Sequence, residues 1–190
     1  MHTEPLVPFS VQRTEIPGLV VLRMKQVSDS RGTVREVFRT SAMAEAGLRT
    51  AAWRQLNLTE TRRGAIRGMH GETMTKLGCV IAGEAFGAYV DTRADSPTRG
   101  RAITVHLSLG TQVLVPPGVC NGFQSVSVEP TQYLYCFDQE WASDMAGVAV
   151  HPLDPALGIE WPIEIDPTDT SLLSAKDAAQ PGLAEALAGS

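Results

Sequence analysis

The sequence is poor in the features that mark several protein classes. Aromatic residues make up 6% of its 190 positions, and it holds only three cysteines and four histidines. Cys79, Cys120 and Cys136 are odd in number and widely spaced, so they spell neither a disulfide framework nor a zinc site. Positive charge is in deficit. Sixteen Lys and Arg against 21 Asp and Glu leave a net charge of −5, which argues against a nucleic-acid surface. No apolar run approaches the roughly 20 residues that span a bilayer. The first residues lack the basic and then apolar pattern of a signal peptide. Neither a nucleic-acid nor a membrane partner is expected, and unpaired thiols in apolar stretches suit a reducing, cytoplasmic compartment.

What is present is a chain of short strands. Leu19–Val27 and Thr33–Phe38 flank the turn signal Asp29-Ser30-Arg31-Gly32. Ser41–Gly47 reads as a short helix capped by Ser41 and ended by Gly47. Trp53–Glu60 alternates, with Leu56 and Leu58 on one face and Gln55 and Asn57 on the other. If the leucines are core, Gln55 and Asn57 face a cleft or solvent. Leu77–Ala82 and Ala85–Thr92 are joined by Gly83-Glu84, a hairpin signal. Arg101–Leu109, Gln112–Val115, Phe123–Val128 and Gln132–Phe137 follow, with Pro116-Pro117-Gly118 between two of them. Strands at this spacing predict an all-β sandwich or barrel in one domain over 1–190, with 1–10 and 182–190 loose. A helical turn is expected within Ser171–Ala179.

The chemistry centres on Gly64–Gly83, where His70 stands between Arg67 and Lys76. Alone, such a histidine reads more readily as a satisfied core residue than as a base. Gly110-Thr-Gln-Val-Leu-Val-Pro116-Pro-Gly118-Val-Cys-Asn121 resembles the second motif of the cupins, with Asn in place of the usual last His. The first cupin motif would supply His-x-His and a Glu; only His70 is here, so no metal is expected.

A longer ordered series is more specific. Arg67-Gly-Met-His70, Lys76, Gly83-Glu-Ala-Phe86, Val90-Asp91-Thr-Arg93, Ser96-Pro97-Thr98, Gly118-Val-Cys-Asn-Gly122-Phe123, Tyr135 and Asp154-Pro-Ala-Leu-Gly158-Ile-Glu-Trp161-Pro162 together resemble the dTDP-4-dehydrorhamnose 3,5-epimerase family. The resemblance runs from about Asp29 to Asp177. It implies a cupin (double-stranded β-helix) jelly roll with short peripheral helices. The implied activity is a cofactor-independent epimerase of a nucleotide-linked 4-keto-6-deoxyhexose, which inverts C3, C5 or both through an enolate.

By resemblance, His70 is the base, Asp177 its orienting carboxylate, Tyr135 the acid and Lys76 the enolate stabiliser, with Arg67 holding sugar or phosphate. Gln55 and Asn57 match positions lining the nucleotide site. Arg31 and Glu36 would reach the nucleotide of the neighbouring subunit in a homodimer. Tyr133 shares the parity of Tyr135, so spacing does not choose between them. Glu72 is the other candidate base. The sequence departs from the family at Asn121 (usually His), Val34 (often aromatic), Gly87 (commonly Asp), Trp141 (commonly Tyr) and the shortened loop 71–75. These departures bear on which sugar and nucleotide are accepted. The rival readings are a 3,4-ketoisomerase, a non-catalytic sugar-nucleotide-binding cupin and a metal-dependent cupin oxygenase.

Overall fold

The computed structural model describes residues 6–48 and 52–189. The chain opens with β1 (Leu6–Val7), β2 (Ser10–Arg13), β3 (Val20–Arg23), β4 (Lys25–Asp29), β5 (Gly32–Glu36) and helix α1 (Thr40–Glu45). The body follows as β6 (Gln55–Thr61), β7 (Ile66–Glu72), β8 (Lys76–Ala82), β9 (Ala85–Asp91), β10 (Ala102–Leu107), β11 (Thr111–Val115), β12 (Val119–Ser125), β13 (Thr131–Phe137) and β14 (Gly147–Ala149). It ends in α2 (Ala175–Ala178) and α3 (Leu183–Ala188).

Two large antiparallel sheets, in the orders β10-β9-β12-β7-β14 and β2-β3-β11-β8-β13-β6, enclose the core. A small sheet β1-β4-β5 stands apart. From β7 to β9 and from β10 to β13 the chain changes sheet at nearly every connection, the winding of a double-stranded β-helix. Ile16, Leu19, Val80, Tyr89, Val113 and Phe123, drawn from both large sheets and the turn before β3, meet in one buried cluster. That burial is the main driving force for closing the sheets on each other.

Gly83-Glu84 is therefore not a hairpin. β8 and β9 lie in different sheets, and the turn carries the chain across. Gly83 has φ +77°, and a Cβ there would fall 2.5 Å from Ser127 Oγ. Ser127 Oγ accepts from the Glu84 amide, and Thr131 Oγ1 donates to the Glu84 carbonyl, so the turn is tied to the β12–β13 connection.

The leucine face of β6 is not core either. Leu56 and Leu58 are 60% and 57% exposed, because β6 is the edge of its sheet and turns its polar face inward. Helix α1 begins one residue before Ser41, with Arg39 at the cap position and no side-chain cap. The expected loose end over 182–190 is helical to Ala188. Asp154 accepts from the Leu183 amide, and Leu183 and Ala186 are buried beside Leu157 and Met69.

Candidate active site

A cavity of about 530 Å³ opens between the two large sheets. His70, on β7, is held from the side by helix α2. Its Nε2 lies 2.7 Å from Asp177 Oδ1. The sequence makes this helix locally, since Ser174 caps it by accepting from the Asp177 amide. Burial alone would raise the Asp177 carboxyl. The hydrogen bond and charge of His70, with Ser174 and the Gly68 amide, outweigh it and hold the carboxyl below its ordinary range. An ionised Asp177 on Nε2 leaves Nδ1 of His70 to take a proton.

Arg67 and His70 are three apart, which in a regular strand puts them on opposite faces. Here both line the cavity. Asn121 pairs with His70 and Phe123 with Arg67, so Gly68 and Met69 together face the single residue Gly122. This bulge shifts the parity of the strand. It needs glycine: Gly68 has φ +127°, and a Cβ there would sit 2.5 Å from Gly122 Cα. Arg67 is oriented by bonds from Nε to Thr61 Oγ1 (2.8 Å) and from Nη2 to the Glu60 carbonyl (3.2 Å).

Tyr135 comes from β13, on the opposite sheet. The structure separates it from Tyr133, which lies deeper and stacks on Phe123 at 4.4 Å. A Cβ at Gly78 would collide with the Tyr133 hydroxyl, so that glycine makes room for the inner ring. Tyr135 stacks on Phe137 further out and lines the cavity. Burial pushes its phenol well above the ordinary range and the Glu72 charge adds to this, while Arg67 and a hydrogen bond with Asn121 oppose it. Tyr135 thus keeps its proton at neutral pH.

Lys76 starts β8 and is 4% exposed. Its ammonium donates to the His70 carbonyl (3.1 Å) and to Asn121 Oδ1 (2.7 Å), and it ion-pairs with Glu72. Gly71 and Glu72 belong to β7, so the expected loop shrinks to residues 73–75.

Asn57 and Trp141 line the outer part of the cavity. Gln55 does not line it; it braces the two, donating to Asn57 Oδ1 and accepting from the Trp141 amide. Arg31 and Glu36 lie away from the cavity of their own chain. Arg31 bonds Asp29 at the β4–β5 turn, and Glu36 pairs with Arg39. Val34 is likewise exposed and away from His70. At Gly87 a Cβ would meet Tyr89 Oη at 2.9 Å, so Tyr89 fills the space a larger residue would need.

Sequence reasoning did not identify Thr59, Thr61, Arg62 or the hydroxyls of Thr170, Ser171 and Ser174 as lining residues. Thr59 was open to it by parity with Asn57; the segment 170–174 carries no such signal. Among the described residues no three His, Cys, Asp or Glu converge as a metal site would need.

A cupin-type barrel that sets a carboxylate-held imidazole on one sheet and a half-buried phenol and a buried ammonium on the other has the parts an acid–base epimerase needs. The comparisons agree. The sequence profile of dTDP-4-dehydrorhamnose 3,5-epimerase matches residues 13–185. The dTDP-4-dehydrorhamnose 3,5-epimerase of Salmonella typhimurium is 34% identical over 183 residues, covering 93% of this chain and 97% of that one. NovW, a 4-keto-6-deoxy sugar epimerase from the novobiocin cluster of Streptomyces spheroides, superposes with a TM-score of 0.87 at 28% identity, over 96% of this chain and 92% of that one. ChmJ, a 3'-monoepimerase from Streptomyces bikiniensis solved with dTDP-quinovose, gives 0.82 at 31% identity, over 91% and 87%. The chain belongs to the dTDP-4-dehydrorhamnose 3,5-epimerase family.

Proposed function

We propose that this protein epimerises a dTDP-linked 4-keto-6-deoxyhexose at C3, C5 or both. The observation that carries the reading is the His70–Asp177 pair facing Tyr135 from the opposite sheet of one cavity. His70 Nδ1 takes the proton from the carbon next to the ketone. The electron pair moves into the C–C bond and onto the carbonyl oxygen, giving an enolate. Asp177 fixes the tautomer and stabilises the imidazolium. Lys76 stabilises the enolate oxygen, as a preorganised cation in a buried site does best. Tyr135 then gives its proton to the opposite face of the carbon, and both groups are reset from solvent.

Arg67 suits the diphosphate because its guanidinium is held by Thr61 and Glu60. Asn57 and Trp141 give the nucleotide a polar contact and a flat surface. A homodimer completes the site. Leu6, Val7, Val34, Leu56 and Leu58 are exposed on the small sheet and on the open edge strand β6. Covering them with a second copy removes apolar surface from water and brings Arg31 and Glu36 to the partner's nucleotide. A cytoplasmic setting fits three buried, free thiols. The test is product analysis by NMR after incubation with dTDP-4-keto-6-deoxyglucose. An inverted C3 or C5 is expected; a 3-keto product would mean a ketoisomerase instead.

A further inference from the structure

The ammonium assigned to the enolate is already fully engaged. A lysine has three protons to donate; Lys76 gives two of them to the His70 carbonyl and Asn121 Oδ1, and the carboxylate of Glu72 takes up the remaining side of the ammonium as an ion pair. A ketone oxygen can reach this ammonium only if one partner gives way. The His70 carbonyl is fixed in β7, opposite Asn121 in the ladder. Asn121 is buried in the middle of β12, laddered to β7 on one side and β9 on the other. Glu72 is the last residue of β7, beside the short 73–75 turn. Its buried Oε2 has no hydrogen-bond partner of good geometry among the described residues and rests on the ion pair with Lys76 alone. Glu72 is therefore the partner that yields.

A buried carboxylate that leaves its cation needs another donor, or the loss is large. Glu72 is two residues from His70, so both emerge on the same face of the strand and both line the cavity. An adjacent ammonium and carboxylate match an adjacent carbonyl and hydroxyl: the carbonyl accepts from one, and the hydroxyl donates to the other. We infer that Glu72 is a specificity-determining residue that accepts a hydrogen bond from the hydroxyl next to the substrate ketone, releasing Lys76 to the ketone oxygen. The site then selects α-hydroxy ketones. This rests on the epimerase reading, in which the hydroxyl is that on C3.

The test compares the dTDP-4-keto-6-deoxyhexose with its 3-deoxy counterpart, in wild type, Glu72→Gln and Glu72→Ala. Both compounds keep exchangeable protons beside the ketone, so deuterium uptake reads turnover of each. Wild type is expected to favour the hydroxyl compound by about 10–100-fold in kcat/KM, the range for one hydrogen bond to a charged group. Glu72→Ala should bring the ratio near one, with the isosteric Glu72→Gln between the two. An unchanged ratio in Glu72→Ala, or an equal loss on both compounds, would overturn the inference, the latter showing that Glu72 only holds Lys76. Titration calorimetry with the same two compounds reads the hydroxyl preference without turnover. Wild-type protein that binds the sugars but exchanges neither would sink the epimerase reading, while its binding ratio still decides for or against Glu72.

Discussion

Replacing Asp177 by Asn removes one charge and leaves the shape. The contact at stake is the 2.7 Å bond between Asp177 Oδ1 and His70 Nε2. With a carboxylate there, Nε2 must carry the hydrogen, and Nδ1 keeps the lone pair that takes the substrate proton. An amide can donate to Nε2 instead. The hydrogen then moves to Nδ1, and the base faces the substrate in the wrong tautomer. The imidazolium formed during reaction also loses its counter-charge. Together these predict a fall in kcat of about 10²–10⁴-fold with KM little changed. A thousandfold loss is about 4 kcal/mol of barrier. Stability should fall by no more than about 3 kcal/mol, the range for one hydrogen bond to a charged group. Helix α2 keeps its cap, because the bond to Ser174 comes from the backbone amide at 177. The assay is steady-state epimerisation followed by NMR, with thermal unfolding alongside. A folded Asp177→Asn protein within about threefold of wild-type kcat would refute the reasoning.

Tyr135→Phe should separate proton removal from inversion. His70 can still form the enolate, and it returns hydrogen to the face it came from. Deuterium should enter the substrate while inversion slows about 10²–10⁴-fold; inversion at the wild-type rate would exclude Tyr135 as the acid. Asp91 is fully buried and bound by Arg93, Ser96 and Thr98. Burial raises its carboxyl, but these partners outweigh it and lower it from 3.8 to about 2. A depressed folded value gives stability that is complete above about pH 4 and lost as pH falls toward 2, about 2 kcal/mol here. Urea unfolding of Asp91→Asn should show a pH dependence shallower by that amount; parallel curves would contradict it. Leu58→Asp puts a charge on the exposed apolar edge of β6 and should turn a dimer into a monomer by sedimentation. A wild-type protein that already sediments as a monomer would refute the shared site.

The strands and the order of the motifs were legible because alternation and turn residues are local. Which face of a strand meets the core is not local. The alternation of β6 does not say whether Leu56 and Leu58 or Gln55 and Asn57 face inward; in the fold the leucines are exposed. Gly83-Glu84 has the composition of a hairpin, yet composition does not say which sheet the next strand joins. Tyr133 and Tyr135 share a parity, and only the depth of the barrel, set by Gly78 and Phe123, separates them. The positions of His70 and Asp177 were legible through the family pattern, whereas their 2.7 Å contact depends on a fold that joins residues 107 apart. The bulge at Gly68–Met69 breaks the alternation that would have hidden Arg67 from His70. Glu72 reads as a loop residue in the sequence, because nothing local marks that β7 runs on through Gly71 to Glu72.

The central claim is reversible proton removal beside a ketone by His70. It is tested most directly by incubating the protein with dTDP-4-keto-6-deoxyglucose in deuterated water and reading the sugar by NMR. Deuterium at C3, C5 or both, lost in His70→Asn, is the predicted result. No deuterium at either carbon, with this and related 4-keto sugar nucleotides, would contradict it.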